Sequence, residues 1–368
     1  MKDYENILKT IRTLCADTQP HTDDIADNVD TDNTDDTAIF ELLYQHGCSY
    51  LLSKTDKPHP YTNRLNADAL LNRVSINERF HSCQKLFEDL DAAAIPYAVI
   101  KGAVLSASAY KNPYSRHSGD MDILVNRENI DDVKRIMLRQ GFVQGRVTQS
   151  GIVPYTRQEL LFQSTMSHQI APFSKATGNR LCPYIQVDIN MDILWGESRQ
   201  KADMSFILEH TTPITICNVT VRKLTPEMEF IAMCLHHYKD MNSIYLLSQG
   251  NLKLKLFCDI YYYIKSVDLD AKKLYALCNR LKVSDYVYYC LYYTDCIFDD
   301  SALRAHYPAL SSPSAERRLN CFGLAENEIR KWDIGFFERL FDTDMQEYFQ
   351  KTLSDEALNK IRMNETYM

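Results

Sequence analysis

The sequence has no Cys-x-x-Cys pair among its eleven cysteines, no internal repeat, no Pro-rich linker, and no apolar run approaching the roughly 20 residues that span a bilayer. Each absence removes a class of protein. Without paired cysteines, structural zinc and thioredoxin-like chemistry lack their ligand spacing, and thiols such as Cys234, Cys258, Cys278 and Cys290, set in apolar helical patterns, read as buried and reduced. Without a long apolar run the chain reads as soluble. Its first residues, Met1-Lys2-Asp3-Tyr4-Glu5, lack the charged-then-apolar layout of a secretory signal, so the cytoplasm is the expected location. Positive charge is also in deficit. The 41 Lys and Arg against 49 Asp and Glu leave a net charge of -8, which argues against broad adhesion to nucleic acid, whose phosphates need a basic surface. A local basic face from Lys253, Lys255, Lys272 and Lys273 stays open, with a solvated helix face as the simpler reading.

At 368 residues, 45% hydrophobic and 24% charged, the chain is long enough for two modest domains or one catalytic unit wrapped by helices. Residues 18–37 hold seven Asp, no Lys or Arg and little apolar material, which predicts a mobile acidic loop. Within it, Asp30 and Asp32 with Glu41 match three positions of a calcium loop, but Asp35 stands where the turn glycine belongs, so calcium is not expected. Three-to-four spacing of apolar residues over 4–16, 39–52 and 67–94 predicts an N-terminal helical layer, placed at residues 1–94.

An α/β core is expected over 95–222: strand 96–100, helix 103–110, strand 121–125, then a helix over 127–140 capped by Asn126 and ended by Gly141. Further strands are predicted at 142–147, 160–165 and 185–193. From 223 to 368 helical periodicity returns, most clearly at 227–238, 252–267, 271–281 and 286–297. The tyrosines at 261–263 and at 286, 288, 289, 292 and 293 read as packing groups rather than base-stacking platforms.

The chemistry concentrates in Ser118-Gly119-Asp120-Met121-Asp122-Ile123-Leu124-Val125. Side chains two apart on a strand share a face, so Asp120 and Asp122 point one way while Met121, Ile123 and Val125 anchor the other. Paired hard oxygens on a rigid element suit magnesium or manganese (Mg2+ or Mn2+). Alone, Asp-x-Asp is a common pattern, and two further features sharpen it. Ile100-Lys101-Gly102-Ala103 sits where a strand gives way to a helix, an arrangement in which backbone N–H groups and the helix N-terminus favour a phosphate. Ile185-Gln186-Val187-Asp188-Ile189 brings a third carboxylate on a strand, as a two-metal site requires. Asp192 shares a strand face with Asp188 and is the substitute third acid.

This set, Lys101-Gly102-Ala103, Tyr110, Arg116 and Gly119-Asp120-Met121-Asp122, resembles the uncharacterised bacterial nucleotidyltransferases of the polymerase-β-like superfamily, over about 39–298. The resemblance implies an α+β fold, a small mixed-sheet core between an N-terminal helical layer and a C-terminal helical bundle. It implies Asp120, Asp122 and Asp188 as metal-binding catalytic acids, and Lys101, Gly102, Ala103, Arg116 and Gly119 as nucleotide-binding residues. Two departures stand out. Ala103 replaces a serine usual in the superfamily and removes a hydroxyl contact to phosphate, for which Lys101 can compensate. The family's Asp-Leu-His-Trp after the third acid is here Asp188-Ile189-Asn190-Met191-Asp192, so the histidine is missing. Lys101 has two readings, a triphosphate contact or a partner that holds an acid when metal is absent. Arg116 is equally a triphosphate ligand or a salt bridge, and His168, His236 and His237 are candidates for an acceptor or base role against the plainer structural one.

The implied activity is transfer of a nucleoside monophosphate from an NTP such as ATP to a hydroxyl acceptor, with pyrophosphate released. The acceptor stays open between a small molecule such as an aminoglycoside or sugar, a tRNA end, and a protein; no membrane partner is expected. A noncatalytic nucleotide-binding or interaction module with the same fold is the rival, and a two-metal phosphohydrolase lacks its usual His-Asp pairs.

Overall fold

The computed structural model describes residues 4–16, 33–54 and 61–367. Helices α1 (Glu5–Ala16), α2 (Asn33–Gln45) and the long α3 (Thr62–Ala92) come first. Most of the acidic segment 18–37, with Asp30 and Asp32 of the calcium-loop match, lies outside the described residues, and Asp35 is already helical.

The sheet follows: β1 (Tyr97–Ile100), α4 (Gly102–Ala109), β2 (Met121–Val125), α5 (Ile130–Arg139), β3 (Val143–Thr148), β4 (Gly151–Pro154), α6 (Arg157–Met166), β5 (Phe173–Asn179) and β6 (Cys182–Asn190). Its strand order is β1-β2-β6-β5-β3-β4, with β2 and β6 parallel and every other neighbour antiparallel. The fold is α+β, a small mixed sheet with helices at both ends of the chain. A short helix α7 (Met204–Glu209) and a hairpin of β7 (Thr211–Ile216) and β8 (Val219–Leu224) lead to α8 (Pro226–Asn242), α9 (Ile244–Leu247), α10 (Leu254–Ser266), α11 (Ala271–Leu281) and α12 (Ser284–Phe298).

Two expectations are overturned here. Residues 160–165, expected as a strand, lie in helix α6, because Thr156 and Glu159 form a reciprocal capping box that starts a helix three residues earlier. Asn126, by contrast, makes no side-chain cap; a 3-10 turn at Arg127–Asn129 leads into α5 instead.

The sheet separates two apolar cores. Tyr97, Val99, Met121, Ile123, Val125, Ile185, Val187 and Ile189 pack beneath α3 and α5. Ala98, Ile100 and Leu124 join the other core, with α4, the N-terminal helices and the C-terminal bundle. The tyrosines lie in that bundle: Tyr262, Tyr263, Tyr288, Tyr289 and Tyr293 are buried and Tyr261, Tyr286 and Tyr292 half-buried. Alternation along β2 therefore sends Met121, Ile123 and Val125 toward α3 and α5, and Asp122 with Leu124 toward the C-terminal helices.

Candidate active site

The register of the two parallel strands builds the site: Asp122 of β2 stands directly opposite Asp188 of β6, with Asp120 two residues upstream. Asp122 and Asp188 are buried, at 5% and 7% exposure, and Asp120 is half-buried. Burial, then the charges of Asp122 and Asp120, push the Asp188 carboxyl up to about 7. Burial and the Asp122 charge also raise Asp120. The positive charge near them, from Lys101 and Arg79, does not offset this.

Lys101 Nζ lies 2.8 Å from Asp122 Oδ1, and burial, which pulls its ammonium down, is outweighed by Asp122, so Lys101 stays above its ordinary range. Asn190 Nδ2 donates to the same oxygen at 3.0 Å, and Gln186 Nε2 donates to Asp188 Oδ1 at 3.2 Å. Asp192 is used differently. Its Oδ1 accepts from the Leu194 N–H and its Oδ2 from the Ala202 N–H, so it pins the chain after β6 while Asp188 stands beside Asp122.

The turn from β1 into α4 is tight. Lys101 and Gly102 both have positive φ, +57° and +45°, and a Cβ on Gly102 would stand 2.8 Å from Ser118 Oγ. Ala103 opens α4 with its methyl buried in the core beneath α3, so it has only backbone to offer a ligand. Gly119 has open space where a Cβ would stand, beside the acids.

The loop that delivers Asp120 is clamped from α3. Buried Asn72 donates to the carbonyls of Tyr114 and Arg116 at 2.9 and 3.1 Å, and buried Arg79 donates to Ser118 Oγ at 3.0 Å, the Asp120 carbonyl at 2.6 Å and the Ser118 carbonyl. Arg116 itself turns inward: its Nε meets Asp259 Oδ2 at 2.9 Å, and Asp259, wholly buried, also accepts from Tyr110 at 2.8 Å and faces His237 Nε2 at 3.2 Å. His236 lies 3.3 Å from Asp240.

A family model for uncharacterised nucleotidyltransferases matches residues 32–299, the sheet, the acids and the helices packed on them. The chain belongs to that family. Among solved structures, this family member is similar to a crystal structure of an antigenic nucleotidyltransferase-like protein from Paracoccidioides brasiliensis, at 17% identity and a TM-score of 0.37, covering 63% of this chain and 94% of that one. No curated protein matches it.

Among the described residues of this nucleotidyltransferase-family chain, no three His, Cys, Asp or Glu side chains form a ready metal cage. The donor chemistry nevertheless fits a divalent cation: buried carboxylates in register, hard oxygens, and a charge deficit severe enough to raise Asp188. The sequence reading missed Asn72, Arg79, Gln186, Asn190 and Asp259. Two of them had a signal, since Gln186 and Asn190 share the period-two face of Asp188. Asn72 and Arg79 sit on the apolar stripe of α3, where a polar residue marks a buried contact. Of the four lysines considered as a basic face, Lys253 donates to the Gln45 carbonyl at 2.9 Å and Lys273 pairs with Glu227 at 2.6 Å. No helix among the described residues is long and apolar enough to cross a membrane.

Proposed function

We propose that this chain transfers a nucleoside monophosphate from an NTP to the hydroxyl of an acceptor, releasing pyrophosphate. The observation that carries the reading is the in-register pairing of Asp122 with Asp188 across parallel strands, with Asp120 beside them and the tight Lys101-Gly102 turn at the same edge. Asp120, Asp122 and Asp188 are the residues that would hold Mg2+ or Mn2+, and a bound cation supplies charge neutralisation at the phosphoryl oxygens. The chain's own groups do the rest. Amides of Gly102 and Ala103 at the start of α4 receive phosphate oxygens, with Gly119 leaving room for them. The Lys101 ammonium exchanges Asp122 for a phosphate oxygen, and the acceptor hydroxyl gives its proton to the Asp188 carboxylate. A bond forms from the acceptor oxygen to the α-phosphorus, the bond from the α-phosphorus to the bridging oxygen breaks, and pyrophosphate leaves. Positioning and charge stabilisation supply most of the acceleration in such transfers.

Arg116, already committed to Asp259, holds the loop before Asp120 rather than the triphosphate. Eleven cysteines outside any disulfide suit the reducing cytoplasm. A second reading, a nucleotide-binding module without turnover, draws on the Lys101 ammonium seated on Asp122. Incubation with each labelled NTP, Mg2+ or Mn2+ and a cell extract separates them: pyrophosphate release with a labelled product that Asp122→Asn abolishes supports transfer, whereas tight nucleotide binding without pyrophosphate rejects it. Titration of a nonhydrolysable NTP into Lys101→Ala at low and high Mg2+ tests the lysine. An affinity loss of about tenfold or more is expected for a charge-assisted phosphate contact, and unchanged affinity at both levels removes Lys101 from the phosphate site.

A further inference from the structure

Past the end of β6, between the sheet and α8, lies a small cleft lined by Lys101, His168, Asn190, Asp192, Trp195, His236 and Lys239 among others. Its position follows from register. The α4 turn meets β2 at the Asp120 end, since the Cβ position of Gly102 faces Ser118 and the Asp120 carbonyl. Asn190, by contrast, pairs with Leu124, two residues beyond Asp122. The cleft therefore runs from Lys101 at the α4 turn, past Asp122, to the far end of β6.

The chemistry of the cleft is one-sided. The only carboxylate lining it is Asp192, whose two oxygens are both taken by backbone N–H groups. The remaining polar groups donate or are neutral. Trp195 is 2% exposed, and its indole N–H has no hydrogen-bond partner, a position that costs free energy until something accepts it. Lys239, 18% exposed at its side chain, meets Asp240 at the loose distance of 3.8 Å, and Asp240 is shared with His236. Burial pulls the Lys239 ammonium below its ordinary range despite the charges of Asp240, Asp122 and Glu197. His168 adds an imidazole from the opposite wall.

Resting on the transferase reading, we infer that this cleft is the acceptor subsite and that the acceptor carries a phosphate group, held by Lys239, His168 and His236, with the Trp195 indole in its wall. Donors from separate segments surround the cleft, and a tetrahedral dianion with several lone pairs per oxygen satisfies them together. Seated there, the phosphate directs the acceptor's hydroxyl back along β6 to Asp188.

The chain has two tryptophans, so Trp332→Phe leaves Trp195 as the sole indole reporter. In that background, inorganic phosphate is titrated with and without a saturating nonhydrolysable NTP and Mg2+, following fluorescence. The expected result is saturable binding that persists with the NTP present, weakened about tenfold or more by Lys239→Gln and largely retained in Lys239→Arg, while NTP affinity measured by calorimetry stays the same in both variants. If the NTP displaces phosphate and Lys239→Gln weakens the NTP instead, the cleft holds the donor's own terminal phosphates and the inference is overturned. Phosphate binding that is absent, or indifferent to Lys239 in variants with unchanged melting, also overturns it. Phosphate binding that depends on Lys239 in a protein that binds no NTP would reject the transferase reading while leaving an oxyanion site, so the two failures are distinct.

Discussion

Replacing Asp259 with Asn tests whether the loop before the acids is held by charge. Asp259 is fully buried and accepts from Arg116 Nε and Tyr110 while facing His237. Burial pushes its carboxyl up, and Arg116 with the His237 contact outweighs that and brings it down to about 2. Asn keeps the shape but leaves the Arg116 guanidinium, 8% exposed at its side chain, without a counter-charge. Breaking a buried pair from one side costs about 3–5 kcal/mol, because the surviving charge is stranded. Arg116→Met should cost a similar amount from the other side. The double variant strands nothing, so its loss should fall below the sum of the singles by about 2 kcal/mol or more. Urea unfolding followed by both fluorescence and circular dichroism gives each value and checks that the transition is two-state. Single losses under about 1 kcal/mol, or strict additivity, would refute the argument and release Arg116 for a ligand.

Asp188→Asn should abolish transfer while the melting temperature stays level or rises, since the change removes a buried charge repelled by Asp122 and Asp120; calorimetry showing collapse would make Asp188 structural. Gly102→Ala meets both a positive φ and Ser118 Oγ, itself held by Arg79, so a loss of about 1–3 kcal/mol with weakened NTP binding is expected, and unchanged unfolding would show that the turn relaxes freely. His46 Nδ1 accepts the Leu254 N–H at 3.1 Å, and burial followed by the Lys253 charge lowers its pKa from 6.5 to about 4. A His whose folded pKa is depressed favours the folded state above its unfolded value, so this contribution is full above about pH 6.5 and lost as pH falls toward 4. By linkage the loss is about 3 kcal/mol. His46→Gln should flatten that part of the pH profile of urea stability; an unchanged slope would sink the assignment.

Strand β2 and helix α11 have the bounds their periodicity predicts, because alternating and three-to-four patterns there are uninterrupted. Helix α6 was legible in Thr156-x-x-Glu159, but the apolar pair Leu160-Leu161 masked it. The β7–β8 hairpin was not legible by turn chemistry: Cys217 and Asn218 both adopt positive φ, a turn ordinarily advertised by Asn-Gly. At the site, the three acids and the glycine turn could be read from local spacing. Pairing of Lys101 with an acid of the site was one of its two readings, and the structure shows that acid to be Asp122; the partner of Arg116 could not be read, since Asp259 is brought to it by helix packing across more than a hundred residues.

The Lys101–Asp122 pair bears on the order of events in the life of the molecule. A tethered ammonium already sits where an incoming ion would go, so the acids can be assembled during folding without waiting for metal. Chelation should then leave melting almost unchanged, unlike proteins whose folding free energy comes from ion capture. On the proposed metal-dependent reading, scarcity of the ion would silence such a chain without sending it to proteases, and restored supply would revive molecules already made.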